Sequence, residues 1–114
     1  RAESLNVIGE VEGMTALLFD DEVDTGSSLA AAVDLLREQG AVEVYAAATH
    51  PVLSGQALSR LAETDLKELV VTDTIPVSWE VRDGFTLTTV SVAPLLGEAI
   101  SRIHTGRSVG ELFA

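Results

Sequence analysis

Five short stretches rich in apolar residues divide the chain, at 6–11, 15–19, 42–48, 68–72 and 85–92. Each has the length of a strand. The middle three lack clean polar alternation, which predicts parallel strands covered on both faces. Helical spacing fills the gaps between them. Leu29, Val33 and Leu36 recur at intervals of four and three, so they share one face, and Gly40 follows as a natural residue beyond the C-cap. Ala57, Leu58, Leu61 and Ala62 mark a second helix that starts near Ser54 or Gly55. Leu95, Leu96, Ala99, Ile100 and Ile103 mark a third, with Pro94 in its first turn and Gly106 at its end. Strands alternating with helices imply right-handed βαβ units and a mostly parallel α/β sheet flanked by helices. The stretch 77–84 breaks the rhythm: it joins two strands without a helical pattern. It carries the lone Trp79, a residue type more often packed against the body of a protein than turned to a ligand.

Composition narrows the class. The 114 residues suit one domain spanning 1–114, with a single core. No apolar run approaches the roughly 20 residues of a membrane-spanning helix, so no membrane partner is expected. No basic segment followed by an apolar one opens the chain, which points to a cytoplasmic protein. The chain begins Arg1-Ala2-Glu3 without Met, which fits a piece of a longer polypeptide. With no Cys, disulfides, thiol nucleophiles and thiolate zinc sites are excluded. Seven basic residues against eighteen acids give a net charge of −11, which argues against a nucleic-acid partner. The acidity reads as a solvated surface. A single Lys among so many acids also raises adaptation to high salt as an alternative.

The chemistry concentrates where strands end, because open α/β sheets bind ligands beyond the carboxyl ends of their strands. Three hydroxyl-bearing stretches, which together carry Asp and Gly, fall there: 20–28, 49–55 and 72–76. The first is the most informative. Asp20, Asp21 and Glu22 are followed by Asp24-Thr25-Gly26-Ser27-Ser28 at the start of a helix. A helix N-terminus offers unpaired N–H groups and the positive end of the dipole, Gly26 permits close approach, and three hydroxyls add donors. The acids would repel a bare phosphate. They make sense for a sugar phosphate, whose hydroxyls donate to carboxylates while the loop holds the phosphate, or beside a divalent cation. The alternative is that Asp24, Thr25 or Ser27 simply caps the helix. His50 can line the edge of this site or make a structural hydrogen bond. His104, near a helix end, suits the dipole, and Lys67 reads as a solvated surface residue.

Six blocks occur in order: Val-Ile-Gly-Glu-Val-Glu-Gly at 7–13, Phe-Asp-Asp-Glu-Val-Asp-Thr-Gly-Ser-Ser at 19–28, Ala-Ala-Ala-Thr-His-Pro-Val-Leu-Ser-Gly at 46–55, Glu-Leu-Val-Val-Thr-Asp-Thr-Ile-Pro at 68–76, Ser-Val-Ala-Pro-Leu-Leu at 91–96 and Ser-Val-Gly-Glu-Leu-Phe at 108–113. Together they resemble the C-terminal half of the ribose-phosphate pyrophosphokinase (phosphoribosyl pyrophosphate, or PRPP, synthetase) family, across essentially the whole chain. The acidic loop alone marks only the wider phosphoribosyltransferase-like group; the other blocks are more specific. The resemblance implies a phosphoribosyltransferase type I-like, Rossmann-like domain. It implies an enzyme that moves the diphosphoryl group of Mg·ATP onto the 1-hydroxyl of ribose 5-phosphate. Asp20 and Asp21 would face the ribose hydroxyls and their Mg²⁺, and Asp24, Thr25, Gly26, Ser27 and Ser28 would wrap the 5-phosphate. A homo-oligomer built from dimers, up to a hexamer, is implied. So is a regulatory site for phosphate or ADP at the C-terminus, with Ser108 and Phe113 as candidates.

The chain departs from the family pattern in four places, one of them slight: Ser28 keeps a hydroxyl where Thr is usual. Ser27 replaces a small flexible residue, Gly110 stands where a second Ser is usual, and Gln56 replaces a common Pro. In the family, the ATP motifs, a metal-binding His and a Lys- and Arg-bearing catalytic loop precede the resembling region. The expectation is therefore a ribose 5-phosphate seat that does not catalyse alone. A non-catalytic regulatory paralogue is the alternative, and a nucleobase phosphoribosyltransferase a more distant one.

Overall fold

Four strands pair side by side in the order of the chain: β1 (Thr15–Val23), β2 (Glu43–Pro51), β3 (Leu66–Thr72) and β4 (Thr86–Val90), every neighbouring pair parallel. Helix α1 (Ser27–Glu38) leads from β1 to β2, and α2 (Ala57–Ala62) from β2 to β3. Helix α3 (Ala93–Thr105) follows β4, and a 3₁₀ turn at Gly110–Phe113 closes the chain. This computed structural model describes residues 6–77 and 84–113. Trp79 and most of the stretch expected to join two strands without a helix lie outside the described residues.

The strand order determines where the core lies. Each crossover advances one strand in the same direction, and right-handed crossovers of that kind put their helices on one face. Val33 of α1 and Leu61 of α2 accordingly pack on Val44, Ala46, Leu66, Leu69 and Val71 of the sheet, all buried. Leu61, Leu66 and Leu69 are the largest of the fully enclosed side chains. Truncating one to Ala would cost about 2–5 kcal/mol by opening a cavity.

Among the described residues the second face is bare, contrary to the expectation of strands covered on both sides. Leu17 is 59% exposed and Phe19 75%. Phe19, Ala47, Val70 and Thr88 form one row across that face through the parallel register. The described residues of α1 and α2 pack on the other face, and no described element covers this one. Helix α3 is likewise apolar but unburied. Leu96, Ile100 and Ile103, spaced by four and three, are all exposed, and no residue of the helix is buried.

Two further expectations change. Residues 6–14 form no strand. Gly9 (φ +98°) and Gly13 (φ +76°) turn the chain through the left-handed region, where a strand cannot continue. The Gly13 amide instead donates to Gly40 O (2.9 Å), anchoring the segment at the end of α1. β1, for its part, runs four residues beyond Phe19. Pairing of Asp20 with Ala48 and Glu22 with His50 overrides the poor strand propensity of acids, so the acidic pair belongs to the strand and not to the loop after it. The helix expectations hold: Gly40 follows the C-cap Gln39, Pro94 lies in the first turn of α3, and Gly106 ends it.

Candidate functional site

The carboxyl ends of β1, β2 and β3 lie side by side, because the strands are parallel and in register. The three stretches singled out in the sequence therefore meet at one edge. A cleft of about 260 Å³ runs along residues 20–29, from the acidic end of β1 to the first turn of α1.

The loop between β1 and α1 is built around Gly26. It is the N-cap of α1 at φ +82°, a conformation glycine adopts without the penalty of a Cβ. A Cβ there would lie 3.4 Å from Ala57 O and 3.5 Å from Leu61 Cγ, so α2 packs directly against the loop. No side chain caps α1 in the usual way. The nearest approach to a cap is Thr25 Oγ1, which accepts from the Ser27 amide at 3.4 Å and donates to Ser27 Oγ at 3.2 Å. The capping alternative for Asp24 and Ser27 is thus not what the loop does. The hydroxyls of Thr25 and Ser27 and the whole of Ser28 face solvent, at the positive end of the α1 dipole.

The carboxyls precede the loop. Asp20 Oδ1 accepts from the Asp21 amide (2.8 Å), and Asp21 Oδ1 from the Glu22 amide (2.8 Å). Hydrogen bonding to the Asp20 side chain, then to the Glu22 N–H, holds the Asp21 carboxyl below the usual carboxylate range. Neighbouring carboxylates at neutral pH repel unless a proton or a cation lies between them. Among the described residues no ion pair reaches them: the Arg and Lys partners are Asp65, Glu43, Glu98 and Glu111. Nor do the described residues contain a cluster of three or more His, Cys, Asp or Glu able to enclose a metal.

The second and third stretches brace the first. After β2, the Leu53 amide donates to Val23 O (2.9 Å) and the Ser54 amide to Asp24 O (3.0 Å). The Ser54 hydroxyl donates to Asp24 Oδ1, and the Arg60 guanidinium to Thr25 O. Leu53 is the one non-glycine residue at positive φ (+48°) among those described, a strain tolerated where surrounding bonds determine the backbone. After β3, Thr74 Oγ1 meets His50 Nδ1 at 2.8 Å, and Thr72 Oγ1 donates to Thr49 O at 2.7 Å. His50 therefore makes a hydrogen bond from the end of β2 to the loop after β3. Asp73 Oδ1 accepts from the Val92 amide (2.8 Å) at the start of α3.

The remaining candidates stand apart in the chain. The Ser108 carbonyl accepts from Arg102 (3.0 Å), which also pairs with Glu98 and Glu111, and Phe113 is exposed. His104 lies in the last turn of α3. Lys67 is exposed and pairs with Glu43 at 3.4 Å. Sequence reasoning passed over Arg60, which lies on a helix flank. Its only signal is a basic residue three positions past the first residue of that helix, Ala57.

Residues 2–114 match the profile of the phosphoribosyl synthetase-associated domain family. The ribose-phosphate pyrophosphokinase of Oceanobacillus iheyensis is 51% identical over 112 residues, which are 98% of this chain and 35% of that protein. The ribose-phosphate pyrophosphokinase of Burkholderia pseudomallei is 53% identical over 113 residues, 99% of this chain and 36% of its own length. The crystal structure of phosphoribosylpyrophosphate synthetase from Mycobacterium smegmatis superposes with a TM-score of 0.84 at 45% identity, over 93% of this chain and 35% of that one. The chain thus spans about a third of the length of the relatives it matches.

Proposed function

The chain belongs to the phosphoribosyl synthetase-associated domain family, and on that footing we propose that it is the ribose 5-phosphate-binding, C-terminal part of a ribose-phosphate pyrophosphokinase. The observation that carries the reading is the β1–loop–α1 unit. It sets a pair of carboxyls and an uncapped helix N-terminus along one cleft. Asp24, Thr25, Gly26, Ser27 and Ser28 take the 5-phosphate with amides and hydroxyls, helped by the helix dipole. Asp20 and Asp21 accept hydrogen bonds from the ribose 2- and 3-hydroxyls, so the sugar bridges the two chemistries. Two carboxylates along the cleft also suit Mg²⁺, which takes one or two carboxylates, keeps waters, and completes its shell from substrate. When bound there, that ion supplies neutralising charge for the transferred group.

In the overall reaction the 1-hydroxyl oxygen bonds to the β-phosphorus of ATP as the bond to the α-phosphate oxygen breaks. The hydroxyl proton is lost, and AMP leaves. The part of this chain is positioning, which supplies much of the catalysis in phosphoryl transfer. ATP is held mainly by the two-thirds of the relatives' length that this chain does not span, and a homo-oligomer is the working assembly.

The test is calorimetric titration of ribose 5-phosphate with Mg²⁺ into the full-length protein. Saturable binding by the wild type, weakened at least about tenfold by Asp24→Ala, is expected from the loss of a loop-ordering hydrogen bond. Absence of binding, or an unchanged Asp24→Ala titration, overturns the site. Formation of PRPP and AMP by the full-length wild type separates this reading from that of a regulatory paralogue, which binds without turning over.

A further inference from the structure

The phosphate-binding reading concerns the face of the loop turned to the cleft. The opposite face carries a second pattern. Three consecutive carbonyls, of Val23, Asp24 and Thr25, are each held by a donor from the segment that follows β2: the Leu53 amide, the Ser54 amide and the Arg60 guanidinium. The peptide bond is planar and trans, so each C=O points opposite to the N–H of the next residue. Fixing these carbonyls toward the segment 53–60 turns the amides of Asp24, Thr25 and Gly26 the other way. Successive amides presented in this manner form an anion-binding concavity.

We infer that Arg60 and Ser54 are positioning residues for the anion loop, acting on the ligand only through the orientation of the loop's peptide planes. This rests on the reading of residues 24–28 as the 5-phosphate seat. Two features support the inference. First, Ser54 engages Asp24 twice, through its amide to the main chain and its hydroxyl to the carboxylate, which also turns that carboxylate away from the phosphate. Second, the Leu53 backbone is held in the left-handed region, between one bond to the end of β1 and one to Asp24 in the loop after it. Arg60 stands in the last turn of α2, where its charge also favours the helix dipole, and so it fastens the loop to the same short helix that packs on Gly26.

The test uses steady-state kinetics and calorimetry on the full-length protein with Arg60→Ala, Arg60→Lys and Ser54→Ala. Losing a hydrogen bond from a charged donor corresponds to about a tenfold to hundredfold effect. The expected result for Arg60→Ala is a KM and a Kd for ribose 5-phosphate raised by that factor, with the KM for ATP unchanged. Arg60→Lys, which keeps one cationic donor, recovers most of the loss. Ser54→Ala shows the same selective shift at about tenfold, the size expected of Asp24→Ala, because both remove the one side-chain bond and leave the Ser54 amide bond. A purely structural role predicts a lowered melting temperature with both KM values shifted alike and no rescue by Lys, and that result overturns the inference. So does an unchanged Kd in both Ala variants when the wild type binds and Asp24→Ala weakens binding. Failure of the wild type itself to bind ribose 5-phosphate instead overturns the reading of the seat.

Discussion

Two loops at the same sheet edge share Asp and Thr and are opposite in behaviour. The loop 24–28 after β1 and the loop 72–76 after β3 both offer Asp and Thr at the end of a parallel strand. In the second, the side chains are already engaged. Thr72 holds Thr49 O, Thr74 meets His50, and Asp73 takes the Val92 amide. In the first, support reaches the loop mainly through its backbone carbonyls from behind, and the Thr25 and Ser27 hydroxyls touch only each other and the Ser27 amide. A loop braced through its side chains is scaffold. A loop braced through its carbonyls keeps amides and hydroxyls for a ligand. Residue type does not separate the two cases; the direction of the bracing does.

The comparison breaks most sharply at Gly26. A Val there meets both the left-handed φ and the α2 backbone, with Ala57 O only 3.4 Å from the Cβ position. Gly26→Val should abolish measurable ribose 5-phosphate binding in calorimetry and destabilise the fold by about 1–3 kcal/mol, read by denaturant unfolding. Thr74→Val probes the opposite loop. It should lower stability by about 1 kcal/mol, the worth of a typical hydrogen bond, while ribose 5-phosphate affinity changes less than about threefold. A large loss of affinity in Thr74→Val would erase the distinction between the two loops.

The smallest effect is a pH dependence. The Ser91 hydroxyl, then the Val92 N–H, hold the Asp73 carboxyl below its ordinary value of 3.8. A carboxyl whose folded pKa is depressed contributes stability above the unfolded value and loses it as pH falls through the folded one. Below about pH 4 the wild type should therefore lose stability more steeply than Asp73→Asn, whereas near neutral pH neither protein's stability should vary with pH through this group. Melting temperatures between pH 6 and about pH 3 check this.

Much of this edge was legible in the residues. The spacing of Leu29, Val33 and Leu36 gave α1, and Asp-Thr-Gly-Ser-Ser announced a loop opening a helix. What escaped was set by partners distant in sequence. Asp20 to Glu22 are poor strand formers, and only pairing with Ala48 and His50 extends β1 through them. The bare sheet face escaped for a related reason: strand composition records that a surface is apolar, not whether this stretch of chain covers it. The stretch 6–11 has strand composition, but its glycine and the one at 13 turn the chain instead. Arg60 was invisible because its role lies in a contact 35 residues away.

The order of the strands has a kinetic consequence. Every strand pairs with its immediate successor in the chain, so no pairing waits for a remote segment. Assembly can therefore proceed by nearest-neighbour addition along the chain. The ligand edge would then mature late in one respect only. The first loop takes its final shape when the turn after β2 arrives behind it, so the seat is finished by the element that also completes the second crossover.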